Sequence, residues 1–313
     1  MFHSFRSLLL SFFVLAAQPI AFAHADQLTV EDPGDSGKPT QLRALINQAK
    51  DGDVIVIPGG MTVKIQIDGV EDQNQSGDFD LNKNIQITGA GAQVSAIEGD
   101  AQSRIFDIAD GKTVSLSDLT LRNGTSTTGG AIRNKGGTLN LDSVHLTQNS
   151  APQGDGGALY QVKGITNIAA SSFTANEAKN GGALYVAAGN VHLENSTLGK
   201  NSATDLGGGA IVINGAVLNV NYATISKNSA AEGGGIWGGG TLQNSIVSEN
   251  TGTVGKADIR SANGVDSRGN NLVGDVTDGI FTKAGDSVGA DVQLLALSED
   301  EALPFFPVDA LSP

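Results

Sequence analysis

Residues 156–176 read Gly156-Gly157-Ala158-Leu159-Tyr160-Gln161-Val162-Lys163-Gly164-Ile165-Thr166-Asn167-Ile168-Ala169-Ala170-Ser171-Ser172-Phe173-Thr174-Ala175-Asn176. A Gly-Gly-small-aliphatic tetrapeptide opens the stretch, and an apolar residue followed three positions later by Asn closes it. The tetrapeptide recurs at Gly129, Gly156, Gly181, Gly208 and Gly233, in steps of 27, 25, 27 and 25 residues. The second signal recurs at Leu146/Asn149, Phe173/Asn176, Leu198/Asn201, Ile225/Asn228 and Val247/Asn250. Two registered signals at one period mark a solenoid, in which each unit buries its apolar face against its neighbours.

Each unit holds short period-two runs and Gly/Asn turns, with no helical pattern. The Leu ladder of a leucine-rich repeat and the longer four-strand unit of a propeller are both missing. The spacing therefore predicts an all-β fold, a single-stranded right-handed parallel β-helix with about three strands per coil. Roughly eight coils over residues 61–250 would rise ~40 Å at ~4.8 Å per coil. The glycine pair supplies φ > 0 and close backbone approach. The small Ala and the aliphatic residue after it are expected to face opposite ways. Asn149, Asn176, Asn201, Asn228 and Asn250 are expected in left-handed turns, their amides paired into a structural ladder.

Outward from the repeat, Leu42, Leu45, Ile46 and Ala49 recur at helical spacing, predicting an amphipathic helix that caps the coil stack. Residues 26–60 are thus an N-terminal strand and helical cap, 61–260 the coils, and 261–313 C-terminal coils and a tail. Residues 1–25 carry one charge, Arg6, an apolar run from Leu8 to Ala17, and Ala21-Phe22-Ala23-His24-Ala25, a secretory leader with its cleavage site. The run is too short for a membrane span. An exported protein, extracellular or on an outer-membrane surface, is expected.

Composition narrows function. There are 33 acidic against 19 basic side chains, a formal charge of −14, which disfavours nucleic acid as a partner. The absence of Cys removes disulfides and thiolate chemistry. Five of the 11 Phe fall in the leader, so stacking platforms for sugars are not expected from the remainder.

The Gly-Gly-Ala-Ile/Leu and Phe-x-x-Asn pairing resembles the repeats of polymorphic outer-membrane proteins. The whole mature chain resembles bacterial right-handed β-helix surface proteins with a pectin-lyase-like fold. That likeness rests on Leu42-Arg43-Ala44-Leu45-Ile46, Gly52-Asp53-Val54-Ile55, Ile85–Gly91, Leu119–Gly124 and Gly269–Gly274. The resemblance implies a surface-exposed β-helix and adhesion, and it implies no particular reaction. Gln41 stands where such proteins often carry Cys. The chain stops at Ser312-Pro313, where they continue, so an incomplete C-terminal cap and no permanent anchor are expected.

Carbohydrate-cleaving β-helices present acids and bases along one face. Asp155, Asp205 and Glu232 precede glycine pairs, and Asp205 and Glu232 would stand about 5 Å apart if their side chains align, near a retaining-glycosidase spacing. They are the catalytic candidates, although any two aligned acids on stacked coils share that separation. The lysines are scattered, and His145 and His192 lie on different strands. The stretch Glu71–Asp80 is oxygen-rich, of the kind that can hold Ca²⁺, but it lacks a Ca²⁺-loop spacing and is read as a solvated bulge, with no metal site assigned. Trp237, between two glycine runs, is the candidate carbohydrate contact. The expected function is a secreted or surface-associated, non-enzymatic, monomeric protein that binds an extracellular glycan or a host or matrix protein. A polysaccharide lyase or hydrolase is the alternative.

Overall fold

The computed structural model describes residues 25–298, apart from 70, 206, 255–257, 262, 263, 278, 290, 291 and 293, together with 304 and 305. The leader expected at residues 1–25 falls almost wholly outside the described residues.

One coil shows how the chain stacks. Leu159–Gln161, Ile165–Ala169, Ser172–Thr174 and Glu177–Asn180 are consecutive strands. Each pairs in parallel with its counterpart one coil later, through Leu159↔Leu184, Ile165↔Asn190, Ser172↔Thr197 and Glu177↔Ser202. Among the described residues the repetition builds parallel sheets of 19, 8 and 5 strands. The chain is a parallel β-solenoid of about 9 turns. Its interior is one hydrophobic cluster running from Val30 to Val273, with Phe79, Phe106 and Phe173 as its largest fully buried side chains.

The glycine pair divides its work as the sequence suggested. The first glycine of each pair has φ between 55° and 69° at Gly129, Gly156, Gly181, Gly208 and Gly233. The second lies against the next coil: a Cβ on Gly157 would overlap the carbonyl oxygen of Gly182. The expected alternation of Ala with the following aliphatic residue does not hold. Ala131 and Ile132, like Ala158 and Leu159, are all fully buried. The alanine sits at the corner before the strand, where both Ala131 N and Ile132 N donate to Ala158 O. The outward residue is the one after the aliphatic.

The asparagine ladder is present and saturated. Asn149, Asn176, Asn201 and Asn228 each donate Nδ2–H to the Oδ1 of the next rung, at 3.0, 2.9, 2.9 and 2.8 Å. Each Nδ2 also donates to a strand carbonyl, as Asn201 does to Phe173 O at 2.9 Å. Each Oδ1 also accepts the backbone N–H of the preceding rung's Asn, as Asn201 Oδ1 does from Asn176 N at 3.0 Å. The left-handed residue is not the Asn but the one before it: Gln148, Ala175, Lys200, Lys227 and Glu249 have φ of 55–59°. That kink turns the following Asn inward, where every rung is at most 4 % exposed.

A helix, Leu42–Gln48, forms where the spacing put it, and Leu42, Leu45 and Ile46 join the solenoid core. Its Arg43 is buried. Nε and Nη2 bind the two oxygens of Asp35, each at 2.7 Å, and the guanidinium lies 4.6 Å from the centre of the Phe79 ring. Arg43 also donates to Gly77 O and Asp78 O at 2.7 and 3.0 Å. The 71–80 segment is therefore a folded knot rather than a solvated bulge. Asn74 and Asp80 are buried inside it and exchange bonds, Asn74 N to Asp80 Oδ2 at 2.8 Å and Asp80 N to Asn74 Oδ1 at 3.2 Å. Glu71 accepts the backbone N–H groups of Gln73, Gln75 and Ser76.

Candidate functional site

The second residue of each strand in the eight-stranded sheet falls in one column along the solenoid axis. The pairing is Asp80↔Asp107↔Arg133↔Tyr160↔Tyr185↔Val212↔Trp237↔Arg260. Coil stacking places one such side chain every ~4.8 Å. Two of the 3 Tyr and the single Trp of the chain are collected here, so the repeat delivers a scarce residue type to one line.

The centre of the column is aromatic. The Tyr160 and Tyr185 rings stack with centroids 5.4 Å apart and planes 18° from parallel. Beyond them Val212 is small, and the next aromatic is Trp237. Asn180, Tyr185, Gly207, Val212, Asn214 and Trp237 line an open cavity of about 200 Å³. The indole leans over Gly207, where a Cβ would come within 2.7 Å of Trp237 Cγ. Asn214 Nδ2 donates to the Tyr185 hydroxyl at 3.3 Å, and Asn180 Nδ2 donates to Asp155 Oδ1 at 2.9 Å.

The N-terminal end of the column is charged. Carboxylate oxygens of Asp72, Asp80 and Asp107 lie within 4.8 Å of one another. Asp107 receives both a bidentate grip from Arg133 and Lys135 Nζ at 2.9 Å, while Lys135 reaches Asp72 at 2.7 Å. Arg104 binds Asp78 at 2.6 Å and stands 3.7 Å from Asp107. Burial pushes the Asp80 carboxyl up to about 7, with Asp78, Asp107 and Glu71 adding in the same direction. Lys135 holds Asp72 below the ordinary carboxylate range. An acid protonated near neutrality beside a carboxylate about 5 Å away has the spacing of a retaining glycosidase pair. However, Asp80 and Asp107 are only 3 % and 2 % exposed. A cleft of about 300 Å³ reaches Asp80 beside Asp72 and Lys83 but is not lined by Asp107, which Arg133 and Lys135 hold, and Arg133, Lys135 and Arg104 already supply the positive charge that a Ca²⁺ would bring. The arrangement is an ion-pair network that closes one end of the column.

The sequence-derived acid row is not brought together. Gly207, not Asp205, pairs with Glu232 across the coils, and Asp205 N donates instead to Lys179 O. The position before each glycine pair reads Asp155, Asn180, Gly207, Glu232. Asp205 falls two residues earlier, out of register. Asp155 is engaged by Asn180, and Glu232 accepts from Arg260 Nε at 3.2 Å. Trp237 is half-buried on the column, where it lines the cavity. Tyr160, Tyr185 and Val212 were missed, though their signal was available: each stands four residues after the first glycine of its pair, as Arg133 and Trp237 do.

No family model matches the chain, and no curated protein does. Among solved structures it is similar to ORF18 of Geobacillus virus E2, at 10 % identity and a TM-score of 0.35, over 83 % of this chain and 59 % of that one. The chain thus spans less than two thirds of that protein's length. No helix among the described residues is long and apolar enough to cross a membrane.

Proposed function

We propose that this protein is an exported, non-enzymatic binding solenoid, secreted or held at the cell surface, and that it binds an extracellular glycan along the outer column of its eight-stranded sheet. The observation that carries the reading is the alignment of Tyr160, Tyr185 and Trp237 in one line, with Val212 between the last two. Tyr160 and Tyr185 turn one face to each other, so their outer faces and edges, with the Trp237 indole, are the flat, weakly polar surface offered to the C–H groups of sugar rings along the axis. A rigid β-scaffold holds such groups without an ordering penalty on binding.

The alternative of a polysaccharide lyase or hydrolase draws support from the Asp80–Asp107 proximity, which is offset by the burial of both. The test is incubation of residues 26–313 with a panel of neutral and acidic polysaccharides, with and without Ca²⁺, scoring retention and new reducing or unsaturated ends separately. Retention without cleavage, reduced by Tyr160→Ala and by Trp237→Ala, is the expected result. Cleavage lost in Asp80→Asn or Asp107→Asn would establish the enzyme instead. Failure of every glycan to be retained would remove the binding reading.

A further inference from the structure

We infer that the cavity between Tyr185 and Trp237 is a subsite for one neutral pyranose ring, inserted between the two aromatic side chains over Val212. This rests on the glycan-binding reading and adds to it a location and a ligand class.

Tyr185 and Trp237 are two coils apart, about 9.6 Å along the axis by twice the strand spacing. Tyr160 and Tyr185, one coil apart, already touch as a stacked pair. Doubling the step spaces Tyr185 and Trp237 widely enough to admit a ring between them, and the short Val212 side chain, 3 % exposed, forms the covered floor of the cavity. Gly207 is the second enabling residue, since any side chain there would displace the indole from its wall. At about 200 Å³ the slot is smaller than the ~300–1,000 Å³ clefts that take drug-sized ligands, which matches one ring of a polymer lying along the column.

The polar groups decide the class. Asn180 and Asn214 stand at the slot, each with one amide hydrogen committed, to Asp155 and to the Tyr185 hydroxyl respectively. Asn180 Oδ1 also accepts Gly207 N at 3.4 Å, so each amide keeps a second hydrogen and Asn180 only one of its carbonyl lone pairs, still a donor and acceptor set that recognises hydroxyls. The six lining residues include no cation. Charges around the slot include the Asp155 carboxylate that holds Asn180, the Glu232–Arg260 pair beyond Trp237, and Lys179 and Asp205, which neighbour Asn180 and Gly207 in the chain. A uronate brought here would meet carboxylates and a chain of formal charge −14, with no lysine or arginine in the slot to pair with it.

Because Trp237 is the only tryptophan, its fluorescence reports this slot alone. Neutral oligosaccharides (β-glucan, xylan, mannan and galactan) and an oligogalacturonate of equal length are titrated against residues 26–313. A neutral oligosaccharide is expected to shift the emission while the oligogalacturonate does not. Val212→Phe, which fills the slot, should weaken that binding at least tenfold. Asn214→Ala, at an exposed position outside the core, should weaken it several-fold with the fold intact by circular dichroism. Equal or tighter oligogalacturonate binding would overturn the ligand class. Glycan retention that Tyr160→Ala reduces but that leaves Trp237 emission, Val212→Phe and Asn214→Ala unaffected would overturn the slot and leave the column reading standing. Absence of binding to any of these glycans overturns both.

Discussion

Asp258 Oδ1 accepts both the backbone N–H of Asn250, at 3.0 Å, and its side-chain Nδ2–H, at 2.8 Å. A carboxylate thus ends the ladder that five asparagines began, with the geometry the next Asn would have had. Its other oxygen accepts Asp275 N at 3.0 Å, tying the last rung to the C-terminal coil. The ladder is a continuous chain of buried amides in which the carbonyl and amide groups of each inner rung are all used. That makes its inner rungs far less replaceable than an exposed Asn.

The middle rung tests this. Asn201→Ala removes the acceptor of Asn176 N and Nδ2 and the side-chain donor to Phe173 O, and leaves Asn228 Oδ1 with only the backbone N–H of residue 201. Each buried orphan costs about 1–3 kcal/mol before relaxation. A net loss of about 3–5 kcal/mol is expected from urea unfolding, against less than about 0.5 kcal/mol for exposed Asn190→Ala.

Two glycines separate steric from conformational need. Gly157→Ala drives a Cβ into the carbonyl oxygen of Gly182, backbone that cannot move without parting two coils. It should lower stability by about 3 kcal/mol or more. Gly215 has φ of +74° but nothing within 4 Å of a new Cβ, so Gly215→Ala carries only the left-handed strain, about 1–2 kcal/mol. Thermal melts of the two variants should rank in that order.

The Asp80 carboxyl gives a pH signature. Its folded pKa of about 7 exceeds the ordinary carboxylate value, so the native state holds a proton that the unfolded chain releases. Stability from this group is complete below about pH 4 and is lost as pH rises toward 7. The unfolding midpoint of the wild type should fall over that window. The slope should be shallower in Asp80→Asn, which stays neutral throughout. An identical slope in the two proteins would remove Asp80 as its source.

Arg43 fastens the 71–80 knot to the helix. Arg43→Met leaves Asp35 buried without its partner, and breaking a buried pair costs about 3–5 kcal/mol. It also frees Gly77 O and Asp78 O. Limited proteolysis should cut within residues 71–80 in the variant, at protease levels that leave the wild type whole.

What the sequence disclosed follows from which residues repeat by type. Coil period, glycine pairs and ladder asparagines are fixed by the inward face and by backbone approach, so their identity recurs and the eye finds them. The outward column has no such constraint: Arg133, Tyr160, Tyr185, Val212 and Trp237 share a position and no chemistry. Counting four residues from each Gly129-type glycine would have aligned them. The same count run backward would have put Gly207, not Asp205, beside Glu232, because the two extra residues of the 27-residue step precede the pair. Asp80 and Asp107 lie in coils without a glycine pair, so only strand register joins them to the column. The buried role of Arg43 depends on a partner eight residues away and on carbonyls more than thirty residues away, which no local pattern encodes.

The proposed glycan site is the aromatic column and not another face of the solenoid. Affinity electrophoresis through gels containing the best-retained glycan tests it directly, comparing wild type with Tyr185→Ala/Trp237→Ala. An Ile165→Ala/Val217→Ala variant, altered at exposed apolar positions of the nineteen-stranded sheet, serves as the control. The column variant is expected to migrate as though no glycan were present while the control is slowed like wild type. Equal retardation of wild type and column variant, or loss of retardation in the control, would contradict it.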